Sequence, residues 1–145
     1  MNALLALLLM LAQTQPHVSL PNFDRECLAM VGYTEARGEG IAGMVATMEV
    51  VLDRAHDREK RWPGTVCSVA LQPNQFLGIA KWKPTTNARL PPERQSWESA
   101  YTIAGLALSG ASLVPNDCRG AVFFDAGPRR RKNFACKIGA HSFYR

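Results

Sequence analysis

The sequence has no CxxC pair, and its 145 residues include only three histidines. The closely spaced thiolates and imidazoles of a structural zinc site are therefore missing. His17, His56 and His141 lie far apart and form no metal signature. There is no phosphate-binding glycine loop, and no Ser or Thr stands in a nucleophile-elbow pattern, which removes the usual supports for nucleotide chemistry and for acyl transfer through an activated hydroxyl. No cofactor or metal is expected. No internal repeat is visible.

A long hydrophobic run is also lacking. Residues 3–12 (ALLALLLMLA) are uninterruptedly apolar, but a helix that crosses a bilayer needs about 20 such residues. The run fits the apolar core of a secretory signal, although no Lys or Arg precedes it and a cut after Ala12 would put Met10 where a small residue is preferred. It also fits a buried first helix, or an uncleaved tether in transient contact with the inner membrane. Residues 1–21 are set apart as an apolar leader and lead-in, and residues 22–145 as a single domain.

What is present is an ordinary globular share of hydrophobic residues, 47%, with three Trp, three Tyr and six Phe for a core or a carbohydrate-stacking groove. Seventeen Lys plus Arg against twelve Asp plus Glu leave a formal charge of +5. That charge suits a polyanionic partner, whether nucleic acid, anionic headgroups or cell-wall polymer, without choosing among them. The basic run 129–132 near Phe134 is short and lacks a complete recognition motif, so nucleic acid is not the expected partner. The four cysteines allow two disulfides. Spacing favours Cys118 with Cys136, closing a local excursion, and Cys27 with Cys67, stapling the first half. Disulfides would imply an oxidising compartment, and four free thiols a cytosolic one.

Periodicity predicts a helix over Phe23–Gly32, capped by Asn22 or Asp24 and ended by Gly32, so that Glu35 falls just beyond it. Ile41, Met44, Val45, Met48, Leu52 and Ala55 recur at helical spacing within 38–58, with Glu49 and Asp53 as i,i+4 neighbours on another face. A short helix is predicted over 65–71 and another over 93–109, the latter facing inward through Trp97, Ala100, Tyr101, Ala104 and Leu108 and ended by Gly110. Between them, residues 72–92 are proline-punctuated and irregular. Strands are predicted at 121–124 and 141–144, with a protruding loop or hairpin between. Helices followed by a small sheet argue for an α+β domain.

Among the acids, Glu35 and Glu39 flank Arg37 between glycines. A carboxylate against apolar packing can hold its proton and act as a general acid, as glycosidic cleavage requires. Two solvated carboxylates favouring a helix dipole are the plainer alternative. Glu49, Asp53 and Arg54 can orient such an acid, bind substrate or form an exposed ionic face. His141 can be a proton-transfer partner or a structural histidine.

Four blocks in order carry a resemblance: YTEARGEG around Glu35, GMVATMEVVLDRA ending in Asp53-Arg54, WPGTVCSVALQPNQF ending in Gln75-Phe76, and IGAHSFY with His141, Phe143 and Tyr144. From about Phe23 to Tyr144 the chain resembles the catalytic domain of the cell wall hydrolase family of spore-cortex-lytic enzymes and bacteriophage endolysins. The resemblance implies a lysozyme-like α+β domain, mainly helical, with Glu35 at the floor of a glycan cleft. It implies cleavage between N-acetylmuramic acid and N-acetylglucosamine by lytic transglycosylation, in which Glu35 serves as acid and then base. Glu39, Arg54, Gln75 and Phe76 would shape the cleft, and His141 would support the Glu35 region. Asp53 departs from the family's usual Asn and replaces an amide with an anion. Asp53 or Glu39 as a second carboxylate would instead make the enzyme a hydrolytic muramidase or glucosaminidase, and a non-catalytic wall-binding module is a further alternative. A monomer acting on peptidoglycan in the periplasm or envelope is expected, either as a phage endolysin or as a compact bacterial enzyme.

Overall fold

Helix α1, Asp24–Ala36, buries every residue from Cys27 to Tyr33. An almost wholly buried helix belongs at the centre of its domain, and α1 packs against the three other α-helices among the described residues. The computed structural model describes residues 23–79, 93–127 and 132–145. Gly32 does not end α1, contrary to the sequence expectation. The helix continues to Ala36, which puts Glu35 in its last turn. Gly32 serves packing instead: a Cβ there would run into the Met48 side chain on the neighbouring helix. Asp24 is not the cap either; the N-cap is Phe23, and Asp24 Oδ1 accepts the Cys67 amide at 3.4 Å. Asn22 lies outside the described residues.

A 3-10 turn, Arg37–Glu39, leads into α2, Gly40–Ala55. Gly40 adopts φ 70°, a left-handed conformation that costs a glycine little and that separates the two helices. Met44, Val45, Met48 and Leu52 face inward as the periodicity predicts, whereas Ile41, in the first turn, is 65% exposed. The short helix α3, Val66–Ala70, is capped by Thr65, whose hydroxyl accepts the Ser68 amide. The Cys27–Cys67 disulfide joins α3 to α1. Helix α4, Arg94–Leu108, turns Trp97, Ala100, Ile103 and Ala104 inward, while Leu108 is exposed. Arg25 ties α1 to α4: its Nε donates to the Tyr101 carbonyl at 2.9 Å and its guanidinium lies 3.9 Å from the Tyr101 ring centroid.

Among the described residues the sheet has three strands where the sequence suggested two. β1, Phe123–Ala126, starts two residues later than expected; β2 is Phe134–Ile138; β3, His141–Tyr144, falls where predicted. The order is β1-β3-β2, antiparallel throughout, so β3 is central. β2 occupies part of the excursion expected as a protruding loop or hairpin. Cys118–Cys136 fastens β2 to the 3-10 turn Asn116–Cys118, and both disulfides pair as the spacing suggested. The result is a mainly helical α+β fold with a small C-terminal sheet, consistent with a lysozyme-like domain. Residues 129–131, most of the proline-rich segment and the apolar run 3–12 lie outside the described residues. Among those described, no helix is long and apolar enough to cross a membrane.

Candidate active site

Glu35 projects from the last turn of α1 and is half-buried. Its Oε1 accepts the Gly78 amide at 3.4 Å. Gly78 belongs to a 3-10 turn, Leu77–Ile79, that lies directly on Thr34. A Cβ at residue 78 would stand 2.5 Å from Thr34 Cβ, so this approach requires glycine. Thr34 is itself fixed, its hydroxyl donating to the Met30 carbonyl at 2.8 Å. Burial raises the Glu35 pKa above the ordinary carboxylate value, while the Gly78 amide and the charge interaction with His141 pull it back down.

Glu35 shares a cleft of about 560 Å³ with Arg54, Gln75, Phe76, Phe124 and His141. Its aromatic base is continuous. Phe124 stacks on Phe76 with centroids 6.2 Å apart and on Phe143 at 5.8 Å, and meets the His141 ring edge-on at 5.3 Å. These contacts follow from the register, which pairs Phe124 with Phe143 and Ala126 with His141 on one face of the sheet. Phe143 is 1% exposed and supports the cleft from beneath. His141 is buried, and among the described residues its Nδ1 has no hydrogen-bond partner.

Arg54 is a buried guanidinium on α2. Its Nε donates to the Val122 carbonyl at 2.7 Å and its Nη1 to Gln75 Oε1 at 3.2 Å. Trp62, Phe76 and Phe123 surround it, with ring centroids 5.4 to 5.7 Å from its Cζ. A planar cation among aromatic faces, bonded to backbone and amide, can hold the strand and the Gln75 loop in one geometry.

The remaining candidates are placed elsewhere. Glu39 Oε2 accepts the Ala140 amide at 2.9 Å, and so grips the β2–β3 turn. Asp53 lines a separate pocket with Asp24, Glu49 and His56. Burial raises the pKa of both Asp53 and Glu49, and the nearby Asp53 charge raises Glu49 further. Adjacent residues on a helix point about 100° apart, which explains how Arg54 reaches the cleft while Asp53 does not. Tyr144 donates its hydroxyl to Asp125 Oδ1 at 3.4 Å. Asp125 borders the cleft, but strand alternation sets its side chain and that of Tyr144 on the sheet face opposite Phe124 and His141.

A family model described as Cell Wall Hydrolase matches residues 38–144. The chain belongs to that family. The fold is also that of two solved structures. One is the catalytic domain of the germination-specific lytic transglycosylase SleB from Bacillus anthracis, 24% identical, with a TM-score of 0.65 over 90% of this chain and 100% of that one. The other is the catalytic domain of the Bacillus cereus SleB protein, 22% identical, with a TM-score of 0.61 over 88% of this chain and 94% of that one. No curated protein matches the sequence. The family match begins three residues after Glu35.

Sequence reasoning missed Phe124 as part of this family member's cleft, and Gly78 and Thr34 as the supports of Glu35. Phe124 stood in a predicted strand and its alternation with Phe123 was the available signal. Gly78 looked like one turn residue among many in a proline-rich stretch, and Thr34 carried no signal of its own.

Proposed function

We propose that this protein cleaves peptidoglycan glycan strands between N-acetylmuramic acid and N-acetylglucosamine as a lytic transglycosylase, with Glu35 as general acid and then base. Glu35 protonates the glycosidic oxygen as the bond breaks. The resulting carboxylate takes the proton of the muramyl C6 hydroxyl, whose oxygen closes a 1,6-anhydro ring at C1. One carboxylate performs both steps because it regains from the C6 hydroxyl a proton to replace the one it gave to the leaving oxygen.

The observation that carries this reading is the distribution of carboxylates. Glu35 is half-buried in the cleft and biased toward its protonated form. Glu39 is engaged by the Ala140 amide, and Asp53 lines another pocket. Hydrolysis by paired carboxylates needs a second acid across the scissile bond; neither Glu39 nor Asp53 lines the Glu35 cleft, and Asp125, which borders it, carries its side chain on the opposite sheet face. The two disulfides support action in an oxidising compartment, the cell envelope.

Mass spectrometry of purified peptidoglycan digested with the protein tests the reading. Anhydromuramyl ends are expected. Reducing muramyl ends would replace transglycosylation by hydrolysis, and release of peptides alone would overturn glycan cleavage altogether.

Gly78→Ala tests the support of the acid. The Thr34 clash must displace the loop and with it the amide that Glu35 accepts. Misplacement on this scale is expected to lower kcat about 10- to 100-fold. That amide favours the carboxylate, so losing it raises the Glu35 pKa further, and the alkaline limb of the pH–rate profile should move to higher pH. A wild-type rate and an unmoved limb would remove the Gly78 amide from the mechanism.

A further inference from the structure

The side-chain amide of Gln75 is fixed in orientation by its neighbour. Arg54 Nη1 can only donate, so the Gln75 atom that faces it at 3.2 Å must be the oxygen. Arg54 is itself immobilised by the Val122 carbonyl and by three aromatic rings. The Gln75 NH2 group is therefore turned away from Arg54, on an exposed residue that lines the Glu35 cleft. Among the described residues, no acceptor engages that nitrogen. Gln75 would otherwise offer a donor and an acceptor alike; here its acceptor is spent and a donor remains.

We infer that Gln75 is a specificity-determining residue that donates its side-chain N–H to the carbonyl oxygen of a substrate acetamido group. This rests on the glycan-cleaving reading. A fixed donor selects for groups that only accept, and a carbonyl oxygen is such a group, whereas a ring hydroxyl can serve either way. An N-acetylated glycan carries an acetamido carbonyl on each ring, at the carbon next to the one bearing the glycosidic bond. That places one such carbonyl close to the oxygen Glu35 protonates. Gln75 is three residues from Gly78, whose amide holds Glu35, so one short segment carries the donor and holds the acid. The muramyl peptide offers carbonyls too, and a glycan stripped of peptide separates the two sources.

The test crosses variants with substrates. Gln75→Glu keeps an oxygen for Arg54 and removes the donor; Gln75→Met removes both polar functions without adding charge. Each is assayed beside wild type on N-acetylated, de-N-acetylated and peptide-free N-acetylated glycan, with kcat and KM separated. Wild type should prefer the acetylated glycan about 10-fold in kcat/KM. Both variants should lose that preference, mainly through KM, and the loss should persist on the peptide-free glycan. Retention of the wild-type preference by both variants overturns the inference, as does an equal loss on acetylated and de-N-acetylated glycan, or a loss that vanishes without the peptide. If wild type cleaves none of the three glycans, the proposed function falls and the inference falls with it. Cleavage with an unchanged preference sinks the inference alone.

Discussion

Glu35→Gln is expected to reduce glycan cleavage by about 10³-fold while the fold persists, because removing a positioned acid–base group typically costs 10² to 10⁴. The glutamine is nearly isosteric and its oxygen can still accept the Gly78 amide, but it can neither give a proton to the leaving oxygen nor take one from the C6 hydroxyl. The stability effect has the opposite sign. Burial raises the folded-state pKa of Glu35 above its unfolded value, so the folded protein holds that proton more tightly. Its contribution to stability is fully present below the unfolded pKa and is lost as pH rises through the raised one. At neutral pH the variant should melt no lower than wild type, with any excess Tm shrinking as the pH falls through that window. Activity in wild type should decline over the same rise in pH, as the acid ionises. Thermal melts and turnover measured across pH check both halves. Near-normal turnover would remove Glu35 from the centre of the mechanism. Sacculus binding that survives in the variant, with no glycan products from wild type, would identify a wall-binding module instead.

The Cys27→Ala/Cys67→Ala double variant is expected to lose about 4 kcal/mol of stability on the loop-entropy model. This disulfide closes a separation of 40 residues, against 18 for Cys118–Cys136, for which the same relation gives about 3 kcal/mol. For a domain of this size the first loss corresponds to a fall in Tm on the order of 15 °C. The position strengthens the expectation. Cys27 is fully buried in the central helix, and the bond anchors α3, a helix of five residues held also by the burial of Val66, Val69 and Ala70, the Thr65 cap and the contact from Asp24 to the Cys67 amide. The chain leaving α3 runs on to Gln75 and Gly78, so a loosened α3 should also weaken the cleft. Equilibrium urea unfolding of the two double variants measures the difference. A loss under about 1 kcal/mol for Cys27/Cys67 would mean that packing alone secures α3.

Much of the fold was legible because its helices repeat a simple period. Met44, Val45, Met48 and Leu52 announce the buried side of α2 without reference to anything else in the chain. The Gly32 expectation failed because glycine has two uses: it ends helices, and it lets helices approach. Met48, sixteen positions further on, selects the second. β2 was hidden for a related reason. Phe134–Ile138 has an exposed, irregular start, with a register shift between Phe134 and Cys136, and so lacks clean alternation.

Local pattern and ordered motifs, then, were enough for the helical framework, the terminal strand, both cysteine pairings and the family to which the chain belongs. These depend on period, spacing and order, which are properties of the chain itself. The sorting of the acids was decided only by the tertiary structure. In the sequence Glu35, Glu39 and Asp53 are three similar carboxylates near one another. In the fold, one faces an aromatic cleft, one holds a turn 101 residues away, and one lies in another pocket. Burial and partners set what a carboxylate can do, and both are supplied by elements distant in sequence: the Gly78 turn, β3 and the far side of α2.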